Sequence, residues 1–329
     1  MQLMKDLDIA GLACLAALAD ERSFERAAGL LSITQSAVSQ RLRSLEAQVG
    51  ALLVVRARPL RLTETGKVLL RFARQLQALR TDVARELGAQ VAPNERIAIA
   101  VNADSLATWV PPALDPVVQA GLNSGFGLEL VVDDQDFTHD SLRQGEVLGC
   151  VSTVSQALRG CQVTPLGVMR YVAVASPDFM QTRLPGGLSA TNFASTPFLV
   201  FNRKDASQVR WVEKAFGMPA PRLQERYVPS SEAYVRAVCL GWGIGVAAAL
   251  QVQPLIANGT LQAIRPDVSV DVALFWHQWK LLSERSAAPA RVALLDQIGQ
   301  ALVAGASSAL TQTKSQRTLT VRNSAADAA

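Results

Sequence analysis

Four side chains in the first fifty residues, Ser36, Ser39, Gln40 and Arg43, carry the most distinctive chemistry in the chain. On a helix at about 100° per residue they share one arc, and Val38, Leu42, Leu45 and Val49 share the opposite one. The polar arc is short-chained, uncharged except for Arg43, and rich in hydrogen-bonding groups. An ordinary surface helix would place Glu and Lys there. Gln and Arg can bond base edges bidentately, and Ser can reach bases or phosphates, so the arc suits the major groove of double-stranded DNA. Gln35 lies beside it, and Thr34 fits the N-cap position.

A second group sits further along. Asn102, Asp104, Ser105 and Leu106 follow an apolar strand pattern, Asp133 and Asp134 end another, and Ser231 with Glu232 opens a helical pattern. In α/β folds such strand ends line ligand clefts. Hydroxyls and N–H donors at one end with carboxylates at the other suit a zwitterion bearing an extra cation, a basic amino acid such as lysine or arginine. From spacing alone, Ser105 and Ser231 serve equally as helix caps, and the acids as solvated side chains.

The first group needs a scaffold. Residues 7–20 read as a first helix, and Ser23 caps a second over 24–31 that offers Phe24, Ala27, Ala28 and Leu31 to the apolar arc. A tight break at Leu31-Ser32-Ile33 then makes a helix-turn-helix. Residues 52–55 form a short strand, and the chain turns back through Arg56, Arg58 and Arg61. That is a wing whose arginines grip phosphates or a minor groove. A long helix over 63–87 places Leu69, Phe72, Leu76, Leu79 and Val83 on a heptad seam, which calls for a partner helix and hence a homodimer. Residues 88–94 form a hinge.

From residue 96 strands alternate with helices, which predicts a mostly parallel sheet. Strands are expected over 96–101, 128–132, 147–153, 168–175, 198–201, 244–249 and 270–279, with helices from about Leu106, near 141–143, over 205–216, 231–240 and 287–304. The fold class is therefore α/β, with a winged helix-turn-helix over 5–62, a linker helix over 63–92 and a two-subdomain effector domain over 93–304. Subdomain I takes 96–164 and 267–304, subdomain II takes 165–266, and residues 305–329 read as a disordered tail.

Composition agrees with two functional parts. Residues 1–90 hold 13 Lys/Arg against 9 Asp/Glu, whereas residues 91–329 hold 19 of each. The whole positive excess therefore lies on the head, the helix-turn-helix part together with its linker helix, as a polyanionic partner requires. No apolar run reaches the ~18 residues of a membrane span, and no signal peptide is evident, so a cytoplasmic location is expected. Cys14, Cys150, Cys161 and Cys239 lie among apolar neighbours without a C-x-x-C pair and read as reduced core thiols; a redox-sensing Cys150 or Cys161 is the alternative. With only His139 and His277, and neither near a nucleophile motif or second ligand, no metal, cofactor or enzymatic constellation is expected. Gly241-Trp242-Gly243-Ile244-Gly245 lacks the spacing and the following helix of a nucleotide loop.

Over roughly residues 5–304 the chain resembles the LysR-type transcriptional regulators. Phe24, Ala27-Ala28, the run from Thr34 to Ser39, Leu45-Glu46, Gly50, Leu53, Leu62-Thr63 and Gly66 carry the likeness. A narrower resemblance, to the ArgP/LysG group controlling arginine and lysine export, rests on the run from Val101 to Trp109, on residues 142–149, on Ser230-Ser231-Glu232-Ala233 and on Phe275-Trp276. Val246 stands where that group commonly has proline, and the tail exceeds its usual end. The resemblance implies a periplasmic-binding-protein-like effector domain, a linker-helix homodimer with a possible homotetramer, contact with RNA polymerase, and activation of an exporter gene when a basic amino acid binds. Inhibition of chromosome replication initiation, or broader chromosome binding, is the alternative it carries. An extracytoplasmic solute-binding protein would fit only the second half.

Overall fold

A computed structural model describes residues 7–57, 60–86, 96–121, 127–133, 138–280 and 290–311. The first part comprises α1 (Ile9–Glu21), α2 (Phe24–Leu30), α3 (Gln35–Val49), a hairpin of β1 (Val54–Val55) and β2 (Arg61–Leu62), and α4 (Glu64–Glu86). Each of the first three helices starts at a side chain able to accept from its first turn. Asp8 takes Ala10 N and Gly11 N at 2.9 and 3.0 Å, Ser23 takes Arg26 N at 3.4 Å, and Thr34 takes Ala37 N at 3.2 Å. Ser32, at φ +52°, makes the sharp break before α3. Val38, Leu42 and Leu45 are buried against Leu12, Leu15, Leu18, Ala27 and Ala28, as the apolar arc requires; Val49 is only half-buried. Each such leucine contributes about 1.5–3 kcal/mol.

The hairpin is tied to this core by Glu46, whose Oε1 accepts from Leu53 N at 2.8 Å. Where α4 begins, Thr63 Oγ1 donates to Leu52 O and accepts from Gly66 N, at 2.7 and 3.0 Å. Gly66 passes so close that a Cβ there would overlap Leu53 O. Its place in the sequence pattern therefore reflects a backbone approach.

The seam on α4 departs from expectation at its start. Leu69 is buried in the core of its own chain, and Phe72 and Leu76 pack on the same cluster, because α1 lies along α4. Leu69 is thus covered without a partner helix, whereas Phe72 and Leu76 are only half-buried. Leu79 and Val83 lie on α4, but their side chains fall outside the described residues, as do Arg58, Asp134, the hinge at 88–94 and residues 312–329.

The second part contains β3 (Arg96–Asn102), α5 (Ala103–Ala107), α6 (Val110–Gly121), β4 (Gly127–Asp133), α7 (Thr138–Arg143), β5 (Gly149–Ser152), β6 (Cys161–Ala175), α8 (Pro177–Arg183), β7 (Pro197–Val200), α9 (Ser207–Phe216), β8 (Gln224–Tyr227), α10 (Ser231–Cys239), β9 (Gly245–Ala248), α11 (Ala249–Ala257), β10 (Gln262–Trp279) and α12 (Ala290–Ala309). Six strands form one sheet in the order β4-β3-β5-β10-β6-β9, and β7 pairs with β8.

The sheet is mixed, not mostly parallel. β3 runs parallel to β4 and β5, but β10 is antiparallel to β5 and β6, and β6 to β9. The reason is that β6 carries the chain from the first subdomain to the second, and β10 brings it back alongside. The return also comes later than residue 267. Trp211 of α9 donates to Val268 O at 3.2 Å, and β10 joins β5 only from Phe275, where its ladder with β6 shifts register. The tail begins later too: α12 continues to Ala309, with Ala306 and Leu310 buried and Thr311 bridging Val168.

Candidate functional site

On the first part, α3 presents Gln35, Ser36, Gln40 and Arg43 to solvent, with Ser39 half-buried among them. The turn before it joins the same face, since Thr34 Oγ1 lies 2.9 Å from Ser36 Oγ. Arg43 Nε donates to Ser39 O at 3.2 Å, which lays the guanidinium along the helix. Arg56 stacks its guanidinium 5.2 Å from the centre of the Phe24 ring, so the wing base is held against α2. Arg61 is exposed on β2. The structure thus gathers the predicted polar residues of α3 and its preceding turn on one face, whereas Arg56 is held on Phe24 of α2 and Arg61 lines a recess with Arg22, Lys67, Arg74 and Glu146. Ser23 acts as the cap of α2.

The second group converges where the two subdomains meet. Asp104 of α5 accepts from the hydroxyl of Tyr171 on β6 at 2.8 Å and from that of Ser231 on α10 at 2.7 Å. The carboxylate therefore links α5 of one subdomain to α10 of the other. The carboxamide of Gln251 stands 3.1 Å from the Ser231 hydroxyl. Asn102, Asp104, Tyr171, Asp205, Ser231 and Gln251 line a cavity of about 50 Å³ between the subdomains. A wider recess of about 320 Å³ lies alongside, lined by Leu106, Val132, Phe201 and Glu232 among others.

Two ambiguities of the sequence are resolved here. Ser231 is not a cap: Ser230 takes that position, accepting from Ala233 N at 3.3 Å, which leaves the Ser231 hydroxyl for Asp104. Ser105 is not a cap either, because the helix starts at Ala103, earlier than expected. Among the described residues, the buried Asn102 Oδ1, Ser105 Oγ and Trp109 Nε1 have no hydrogen-bond partner. Asn102 lines the cavity, where a bound polar ligand would offset the ~1–3 kcal/mol that such a buried atom costs. Asp133 is paired through its backbone with Asn102, at the same end of the sheet, but its side chain is outside the described residues.

Sequence reasoning missed Tyr171, Asp205, Tyr234 and Gln251. Tyr234 is buried and accepts from Val246 N at 2.9 Å and Gln208 Nε2 at 3.2 Å while donating to Leu199 O at 3.0 Å, so it pins α10 to β7 and β9. Burial pushes its phenol well above the ordinary range. Asp205 accepts from Ser207 N, Gln208 Nε2 and Phe201 N, which fixes the loop before α9. The available signal was scarcity: the chain has three tyrosines, and Tyr171 stands in a largely apolar strand where a hydroxyl needs a partner.

The two histidines meet, contrary to expectation, with ring centroids 5.1 Å apart. Desolvation pulls both below the ordinary imidazole range, and His277 Nε2 lies 2.7 Å from Val154 O. No group of three metal-ligating side chains occurs among the described residues. Cys14, Cys150 and Cys161 are buried, and desolvation raises the Cys150 thiol and pushes that of Cys161 up to about 12, which disfavours the thiolate a redox sensor needs. No helix among the described residues is long and apolar enough to cross a membrane.

Comparison with known proteins places this architecture. Residues 9–67 match the bacterial regulatory helix-turn-helix protein, lysR family, and residues 91–298 match the LysR substrate binding domain. The chain is 40% identical over 283 residues to the HTH-type transcriptional regulator ArgP of Aeromonas salmonicida, covering 84% of this chain and 92% of that one. It is 41% identical over 276 residues to LysG of Mycobacterium bovis, covering 84% and 88%. The crystal structure of ArgP from Mycobacterium tuberculosis superposes with a TM-score of 0.78 at 38% identity, covering 94% of this chain and all of that one. Full-length LysG from Corynebacterium glutamicum with bound effector Arg gives 0.69 at 33% identity, covering 92% and 99%. The two matched regions, the relatives and the fold agree: the chain belongs to the LysR family of helix-turn-helix transcriptional regulators.

Proposed function

We propose that this regulator senses a basic amino acid, arginine or lysine, in the cleft between its effector subdomains, and that binding switches an exporter promoter on. The observation that carries the reading is Asp104, a carboxylate held across the cleft by Tyr171 and Ser231, in a chain similar to a regulator solved with arginine bound. In this reading Asp104 receives the ligand's cation, and Asn102 and Ser105 meet the polar backbone of the amino acid. At about 50 Å³ the cavity alone is well below the ~300 Å³ of common ligand sites, and the adjoining recess of about 320 Å³, which shares Phe201 and Ser231 with it, supplies the remaining room.

On the DNA side, Gln35, Ser36, Ser39, Gln40 and Arg43 meet base edges and nearby phosphates, Thr34 and Ser23 cap the two helices beside the backbone, and Arg56, Arg58 and Arg61 contact phosphates. The protein acts in the cytoplasm as a homodimer through the far end of α4, where Leu79 and Val83 continue the heptad seam, and recruits RNA polymerase. The ligand works only through unequal affinity for two arrangements of the assembled chains.

The test is a panel of amino acids titrated into footprinting and transcription assays on the promoter beside the gene. Arginine or lysine shifts both readouts, and neutral amino acids do not. If no basic amino acid shifts either, the effector reading is wrong. Occupancy spread over replication origins in place of a few promoters would favour the chromosome-binding alternative.

A further inference from the structure

We infer that Arg74 is a positioning residue: it ties the DNA-binding part to the effector domain and transmits the ligand's state between them. The inference rests on the sensing role proposed above. Arg74 lies on α4, and its guanidinium reaches in two directions. Nη2 pairs with Asp20 Oδ1 of α1 at 2.5 Å, and Nη1 donates to the carbonyl of Gly145, in the loop between α7 and β5. Its side chain is 18% exposed and that of Asp20 40%, so the guanidinium is largely sheltered while the carboxylate end of the pair meets solvent. One turn earlier, Arg71 places its guanidinium 5.7 Å from the ring centre of Trp279, at the end of β10.

Gly145 is shaped for this contact. It has φ +73° and closes α7, with its own N–H donating to Leu142 O at 3.0 Å and that of Glu146 to Ser141 O at 3.0 Å. A Cβ there would lie 3.3 Å from Arg71 Cα and overlap Arg71 Cγ. The carbonyl that meets Arg74 is thus presented by a turn that glycine makes easily, packed closely on the side chain of Arg71. α7 itself is seated on the sheet by Thr138 Oγ1, which donates to Val151 O at 2.6 Å. The strand beneath it, β5, pairs with β3 at Ile99↔Gly149 and Ala100↔Cys150, and β3 ends at Asn102 in the cleft. A movement at that end of the sheet therefore has a short route of packed and hydrogen-bonded elements to Arg74 and, through Asp20, to the helix packed under α3.

The fork of a guanidinium serves both partners at once, and a lysine ammonium on its flexible stem does not. Arg74→Lys is therefore the diagnostic variant, with Asp20→Asn severing only the α1 end. Two measurements on the full-length protein test the inference. In hydrogen exchange without ligand, Arg74→Lys and Arg74→Ala raise exchange of the amides of residues 142–148 by about fivefold or more over wild type. Unchanged protection overturns the docking. In the second, the arginine Kd is measured with and without operator DNA. Wild type shows a ratio away from one, and Arg74→Lys and Asp20→Asn bring it to within about twofold of unity, with the DNA-free arginine Kd unchanged. A preserved ratio overturns the coupling role, since a merely structural residue would lower DNA affinity or melting temperature and leave the ratio alone. Should wild type itself show no arginine effect, the sensing role fails and transmission with it, while the exchange measurement still decides the docking.

Discussion

Replacing Asp104 with Asn separates charge recognition from simple filling of the cleft. The fold tolerates the change: the hydroxyls of Tyr171 and Ser231, now 2.8 and 2.7 Å from the carboxylate, can each donate to the amide oxygen or accept from its NH₂. The loss is the negative charge. A unit charge pair about 4 Å apart at an effective dielectric of about 20 is worth about 4 kcal/mol. Desolvation of the ligand cation takes back part of that, so we set the net loss at about 2–4 kcal/mol, which is about 30- to 1,000-fold in Kd. Citrulline, shaped like arginine but uncharged, loses only hydrogen-bond quality, about 1 kcal/mol. Titration calorimetry with both ligands on wild type and Asp104→Asn therefore gives a large change for arginine and a small one for citrulline. An arginine affinity within about threefold of wild type, or equal losses for both ligands, would refute the assignment of Asp104 to the cation.

Three further outcomes follow from the same geometry. Gln40→Ala relaxes specificity at one base pair by about 1–3 kcal/mol, whereas Arg61→Ala weakens every sequence alike and flattens the salt slope by about 0.9 per contact, both read by binding to operator variants across a salt series. Leu42→Ala, at a side chain 1% exposed, costs about 2–5 kcal/mol of stability in the DNA-binding part. It abolishes operator binding and leaves arginine binding intact, because the effector core is a separate cluster, and loss of both would contradict that separation. Acid should destabilise the effector domain through His139 and His277. Burial holds their folded pKa below the unfolded value near 6.5, so the unfolded state takes up more protons there. Stability is full above about pH 6.5 and falls as pH drops toward the folded values, and His139→Gln flattens this pH dependence of the melting temperature.

The features that rest on neighbours in the chain were legible in the sequence. The arcs of α3, the Ser23 and Thr34 caps and the break at Ser32 depend on a few consecutive residues. Long-range pairing hid the rest. Pro165 and Pro266 read as punctuation, yet Pro165 lies within β6 and Pro266 within β10, beside the register shifts where a missing N–H is tolerated. Pro254 likewise concealed α11, which contains it. The chain end from Ser307 looked polar and aperiodic, but two residues, Ala306 and Leu310, suffice to seat the last turns of α12 on the core. In the cleft, Asp104 and Ser231 were visible as helix-opening residues. Tyr171 and Gln251 join them only through the folded chain, which brings together positions 67 and 20 residues apart.

The ladder between β6 and β10 also governs how such a regulator can be taken apart or rebuilt. It runs almost without interruption from Gln262↔Ala175 to Trp279↔Cys161, through both subdomains. Removing either subdomain would strip half of each strand of its neighbours and expose long unpaired edges, an invitation to aggregation. The DNA-binding part has its own core and joins the rest through a single helix and a few contacts. Recombination can therefore exchange whole sensors between heads, but it cannot exchange half a sensor. New ligand specificities in this architecture must arise by substitution around an uncut pair of strands.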